Sequence, residues 1–357
     1  MSNVTTLQVQ DTTHYIVAGS VFVLYGLGAF MQVTTVLSII KKTDWKTNPG
    51  LMLICSLACS DFLTCGPYTF GCIESLLGRY LFPHSRIITG FLNNQGWCCT
   101  SLHMSMIAVN RFVGVLLPFH YPHWCSPRNT AYMIGFCWLG ASAFSLYNAW
   151  LPCCLVVWKW DWVVSVYDNP GMTEVNHVWP LANAITYISI IVPLCLYTVI
   201  SIKLLNLYCQ SRASLGTSAI DIKLCVQFMI IIGCYVVLEA TWYNLPAYAG
   251  PTRKVFYVIA YALAINFSIN PYVYVTFNST VRTAVLEWLF CKPSVNAVVL
   301  MQQKNASKTG SKAGTSRHNV NKKMPVASQS RSTLNFGFRP VFLVSLKILF
   351  TQYPDFT

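Results

Sequence analysis

The sequence predicts an all-α membrane protein, a bundle of seven transmembrane helices with a short interfacial eighth helix and a disordered tail. Three observations predict it. Only 10% of the 357 residues are charged and 54% are hydrophobic, whereas an ordinary soluble domain is about 25% charged. Long, nearly uncharged runs recur from Tyr15 to Phe277, separated by short polar loops. Each run approaches the length of about 20 apolar residues that crosses the hydrocarbon core, where backbone groups must pair internally and a helix satisfies them.

The spans fall at Tyr15–Ile40, Gly50–Cys72, Ile87–Leu116, Tyr132–Leu155, Trp179–Leu205, Lys223–Tyr248 and Val255–Phe277. The longest connection between them is Val156–Val178, too short for a soluble domain. Loop cations set the orientation. Lys41, Lys42, Lys46, Arg128, Lys203, Arg212 and Lys223 fall on one side; Arg79, Arg86, Lys159, Arg253 and Lys254 fall on the other. With the basic tail included, the bias places residues 1–14 outside and the C-terminus in the cytoplasm of a multi-pass plasma-membrane protein. Asn3-Val4-Thr5 is then a usable glycosylation sequon, whereas the sequons at Asn278 and Asn305 face the cytosol.

Beyond the bundle of residues 15–278, Ser279–Phe290 reads as a short amphipathic helix. Val281, Val285, Leu286, Leu289 and Phe290 share its apolar face, so residues 279–291 are expected along the inner membrane surface. Cys291 is a candidate palmitoylation site or a plain reduced thiol. Residues 292–357 form a basic cytoplasmic tail, mostly disordered, in which Val341–Phe350 is apolar but too short to span. The formal net charge of +13 does not point to nucleic acid: much of the excess lies in this tail, where it faces an anionic leaflet. The fifteen cysteines lie largely in apolar runs, where they act as small hydrophobes, and no metal-ligand spacing accompanies them.

An ionisable side chain inside a span costs about 2.5–3.5 kcal/mol on insertion scales, so each requires a reason. Asp61 lies midway along the second span, Arg111 near the inner end of the third, Glu239 well into the sixth; Asn266 and Asn270 sit one turn apart on the seventh. These residues carry a resemblance. Leu57-Ala58-Cys59-Ser60-Asp61 resembles the LAxxD motif of rhodopsin-like G-protein-coupled receptors, and Asn110-Arg111-Phe112 their DRY motif. Trp138 and Pro193 match the tryptophan of the fourth helix and the proline of the fifth, and Asn270-Pro271-Tyr272-Val273-Tyr274 fits NPxxY. The resemblance covers roughly residues 15–291. The NRF triplet, Pro118 and the Ser126–Thr130 segment look most like nematode serpentine chemoreceptors of class x.

The resemblance implies a receptor that couples an external ligand to a heterotrimeric G protein. Asp61, Thr100, Asn266 and Asn270 would meet between helices two, three and seven and hold water or a sodium ion, oxygen donors suiting a hard cation. A dry hydrogen-bonded packing knot is the other reading. Asn110, Arg111 and Phe112, with Pro271 and Tyr274, would form the G-protein-coupling region; snorkelling to the interface is the plainer account of Arg111. Tail hydroxyls such as Ser307, Thr309 and Ser328 are candidate sites for a receptor kinase and arrestin recruitment, or simply part of a solvated linker.

The chain departs from the family in several places. Asn110 replaces the DRY acid, so Arg111 lacks its neighbouring carboxylate. The cysteine expected at the outer end of helix three falls at Arg86, and Val156–Val178 holds no cysteine. Cys72 with Cys153 or Cys154 is a substitute pairing, with buried thiols the preferred reading. Trp242 and Pro246 do not keep the helix-six spacing, and Gln32 is the nearest stand-in for the helix-one asparagine. The amine-receptor acid is matched by Asn93, and the retinal-binding lysine by Ala264, so neither retinal nor an amine bound in the usual way is expected.

Glu239 lies about 24 Å along helix six from Lys223, toward the outer half. Asn93, Trp97, His103, Trp242 and Tyr243 are expected with it around a small-ligand pocket; a bond to a neighbouring helix is the plainer role for Glu239. The leading function is a chemosensory receptor for an external small molecule. A neuropeptide receptor would use Asp161, Asp168 and Glu174 to attract a basic peptide. A transporter or channel would more often carry internal repeats, which the sequence lacks. No catalytic constellation points to an enzyme.

Overall fold

The computed structural model describes residues 11–151, 154–168, 178–210 and 215–290, by backbone alone at 179, 207–210 and 215–225. Asn3, Cys291, Glu174 and the tail hydroxyls lie outside the described residues.

Local chemistry sets most helix starts. Helix α1, Thr12–Lys42, begins where the Asp11 carboxylate accepts the His14 N–H at 2.9 Å. Helix α2, Pro49–Leu77, has Asn48 accepting from Leu51 N–H at 3.2 Å and Pro49 in its first turn, where a missing N–H costs nothing. Helix α3 is Ser85–Leu116, and α4 is a single turn, Tyr121–Trp124. Helix α5, Pro127–Trp150, starts on a Ser126 cap bonded to Asn129 N–H. A β-hairpin follows, β1 Val156–Lys159 and β2 Val164–Tyr167, antiparallel with Val156 opposite Tyr167. Helices α6, Val178–Gln210, α7, Leu215–Ala249, and α8, Arg253–Phe277, complete the bundle, and α9, Ser279–Leu289, follows.

Six of these helices are long and apolar enough to cross a membrane by length and composition. Helix α5 makes the seventh long one: its 24 residues rise about 36 Å. Its apolar character is diluted by Ser142 and Ser145, which accept from Gln95 at 2.9 Å and Asn94 at 3.5 Å on α3. Large apolar side chains such as Ile16, Phe30, Phe136, Ile191, Leu205 and Val237 are exposed on the bundle's outer faces. So much exposed apolar surface is stable in lipid rather than in water. The interior holds one apolar cluster toward the hairpin end, around Tyr25, Tyr68, Trp158 and Phe267, and another toward the α9 end, around Ile54, Tyr197, Phe228 and Tyr274.

Three local features refine the expectation. The fourth span runs Pro127–Trp150 rather than Tyr132–Leu155, because the Ser-Pro pair starts the helix early and Pro152 in the sequence disfavours a helical Leu151. The connection after it is a hairpin that folds against the bundle. Trp158 is fully buried with its ring 5.1 Å from Tyr68, and Tyr80 donates its hydroxyl to Trp158 C=O at 3.0 Å. Two glycines admit this packing: a Cβ at Gly71 would lie 2.5 Å from the Trp158 indole, and one at Gly90 would overlap the Val156 carbonyl. The apolar face expected of α9 is divided. Val281 and Val285 are buried, while Leu286, Leu289 and Phe290 stay exposed.

Candidate functional site

Three polar places punctuate the apolar interior, and α3 contributes to each. The first is built on Asp61, which is completely buried in α2. Its carboxylate accepts from Thr100 Oγ1 at 2.7 Å, Asn270 Nδ2 at 2.7 Å and Gln32 Nε2 at 3.3 Å. Gln32 also donates to Phe267 C=O at 3.2 Å, so one amide links α1, α2 and α8. Ser60 extends the knot through a 3.0 Å bond to Thr100. Asn266 is buried nearby on α8 but is not among the Asp61 donors shown by these bonds. The amide oxygens of Gln32 and Asn270 are buried without a hydrogen-bond partner, leaving neutral oxygens on the two amides that bond the Asp61 carboxyl group.

The second place lies at the α9 end. Arg111 has no carboxylate partner: among the described residues the ion pair is Arg86 with Asp168. Its guanidinium instead sits over the Phe228 ring of α7, 5.6 Å from the centroid, and its buried Nε lacks a partner. Phe228 stacks on Tyr197 at 5.5 Å and lies 6.4 Å from Tyr274, so α3, α6, α7 and α8 meet around one ring. Tyr274 is fully buried with an unbonded hydroxyl, and Pro271 is buried one turn earlier. Asn110 is buried and its amide nitrogen has no hydrogen-bond partner. Phe112 packs on the same apolar cluster.

The third place is a cavity of about 80 Å³ at the hairpin end. Asn93 and Trp97 of α3 and Glu239, Trp242 and Tyr243 of α7 line it together. Glu239 is 6% exposed, and its Oε1 accepts from Trp97 Nε1 at 3.3 Å. Tyr243 donates to Asn183 of α6 at 2.9 Å. The hairpin supplies the wall that sequence reasoning missed, with Val156, Ser165 and Tyr167.

His103 is not among the cavity's lining residues. It lies ten residues beyond Asn93 on α3, about 15 Å deeper in the bundle. There it bridges Cys99 C=O and Ser56 Oγ, each at 2.8 Å, and Ser56 in turn accepts from Trp138 Nε1 at 2.9 Å. This arrangement makes His103 a fastener between α2, α3 and α5. Ser56, its partner, carries no sequence signal beyond its place in a span.

The outer-loop connection also departs from the sequence expectation. Cys72 is a free thiol, as are Cys55, Cys65, Cys98, Cys99 and Cys137 within the bundle, whereas Cys154 is disulfide-bonded. Where the resemblance would place a bridging cysteine, Arg86 forms a 3.2 Å ion pair with Asp168 just beyond β2. That contact engages one of the acids expected to attract a basic peptide.

Comparison with known proteins agrees with this architecture. A melanopsin of Phodopus sungorus is 30% identical over 168 residues, covering 44% of this chain and 35% of the relative, and a melanopsin of Rattus norvegicus matches to the same extent. Trace amine-associated receptor 7b of Mus musculus is 30% identical over 123 residues, covering 32% of this chain and 33% of the relative. The chain therefore spans about a third of the length of these curated relatives. The model of the serpentine type 7TM GPCR chemoreceptor family Srx matches residues 22–278, from within α1 to the end of α8, and the chain belongs to that family.

Proposed function

We propose that this chemoreceptor binds a small external molecule in the hairpin-end cavity and signals through a heterotrimeric G protein at the α9 end, with the N-terminus outside the cell. The observation that carries this reading is the placement of both sites on α7. Glu239 lines the cavity, while Phe228 covers the guanidinium of Arg111. A ligand that favours an outward position of α7 would uncover Arg111 for the G protein. Ligand binding can produce that change only through differential affinity for the two positions.

The Asp61 knot fits a sodium ion in the resting state: the carboxylate and the unpartnered oxygens of Gln32 and Asn270 are hard donors suited to it. Bound there, the ion would supply charge balance for Asp61. No retinal is expected, since buried Ala264 offers no amine. Arrestin and a receptor kinase are proposed partners of the tail.

The test is G-protein dissociation in cells expressing the chain beside Arg111→Ala at matched surface levels. Basal or ligand-library-evoked signal in the parent, lost in the variant, supports the reading. An equal signal in both would remove Arg111 from coupling.

A further inference from the structure

We propose that the hairpin-end cavity takes a small organic cation, a primary ammonium ion with a short apolar body, held by Glu239 and Asn93. The inference rests on the reading of this cavity as the receptor's ligand site. Glu239 is buried, lines the cavity and has no cationic partner among the described residues. Trp97 gives its carboxylate a neutral hydrogen bond, which solvates it without balancing its charge. A buried carboxylate without a counter-charge is costly, and a bound cation removes that cost.

The rest of the wall specifies the cation further. Asn93 Oδ1 is buried and has no hydrogen-bond partner. A carboxylate and an orphaned carbonyl oxygen are both acceptors, so their complement is a group rich in N–H donors. That favours a primary ammonium over a quaternary one. Trp97, Trp242 and Tyr243 surround the acceptors with aromatic surface, which attracts a cation through the ring faces and accommodates an apolar body. The cavity volume of about 80 Å³ limits that body to a few heavy atoms or a compact ring. Helix α3 has no acid in Ser85–Leu116, so the charge comes from α7 and α3 contributes the neutral acceptor.

The experiment is a thermal-stability titration of the purified full chain in lipid nanodiscs. Isobutylammonium and phenethylammonium are the probes, with isobutanol and phenethyl alcohol as neutral counterparts. At least one ammonium raises the melting temperature and its alcohol does not. Glu239→Gln weakens the apparent ammonium affinity about tenfold or more, because a buried charge pair loses one partner. Asn93→Asp adds a second acid and tightens binding severalfold; this variant carries the test if Glu239→Gln does not fold. The proposal is overturned if neither ammonium stabilises the parent, if the alcohols match the ammonium ions, or if the position 239 and 93 variants bind like the parent. Binding is read without signalling. Ammonium binding with no G-protein activation would sink the receptor mechanism alone, and signalling to neutral ligands with no ammonium binding would sink this inference alone.

Discussion

At the scale of single residues, the most telling substitution is the loss of the acid beside Arg111. Asn110 carries no charge, and its neighbour's guanidinium rests on the face of Phe228. A cation–π contact contributes about 0.5–2 kcal/mol, less than the loss of about 3–5 kcal/mol when one partner of a buried ion pair is removed. The resting state is therefore predicted to be held weakly. Phe228→Leu should raise basal G-protein dissociation, with about 1 kcal/mol shifting the resting-to-active ratio about fivefold. Asn110→Asp should lower it by supplying the missing carboxylate. Both are read at matched surface expression, and unchanged basal signal in the pair would show that neither contact sets the resting state. The importance of Asp61, Arg111 and Asn270 was legible in the sequence because polar groups in apolar runs are conspicuous. Gln32 was visible as a candidate, but its bond to Asp61 depends on how α1 packs against α2 and α8.

At the scale of elements, the helices were legible to within a few residues at most ends, since length and apolar runs are long-range signals. The hairpin was not. Its strands are four residues each, too short for alternation to separate them from a plain loop, and their burial depends on partners in α2 and α3. Gly71 and Gly90 are the sequence trace of that packing, but a glycine inside a helix has several explanations until its neighbour is known. The hairpin is also tethered by Arg86 and Asp168, a partly exposed pair worth about 0–1 kcal/mol. Close packing should therefore matter more than this charge contact in holding the wall. Gly90→Val forces the Val156 backbone away, with a typical overpacking cost of about 1–3 kcal/mol. It should reduce ammonium stabilisation severalfold while leaving basal signalling near the parent level. Parent-like ammonium binding would show that the wall is dispensable.

At the scale of the whole molecule, depth along the helix axis decides which sequence-selected residues act together. His103 is expected from the sequence around the ligand pocket, yet its three-turn displacement from Asn93 makes it an interhelical fastener. The same arithmetic connects the remaining sites. Phe228 and Glu239 are eleven residues apart on α7, about 16 Å of continuous helix. If that helix couples the two ends, linkage requires reciprocity: whatever the ligand does for G-protein affinity, the G protein must do for ligand affinity. Nucleotide-free G protein should therefore tighten ammonium binding in nanodiscs about fivefold or more, within the usual range of allosteric coupling. Arg111→Ala should abolish the increase. A G protein that binds tightly without altering ammonium affinity would show that the two sites share a helix but not an equilibrium.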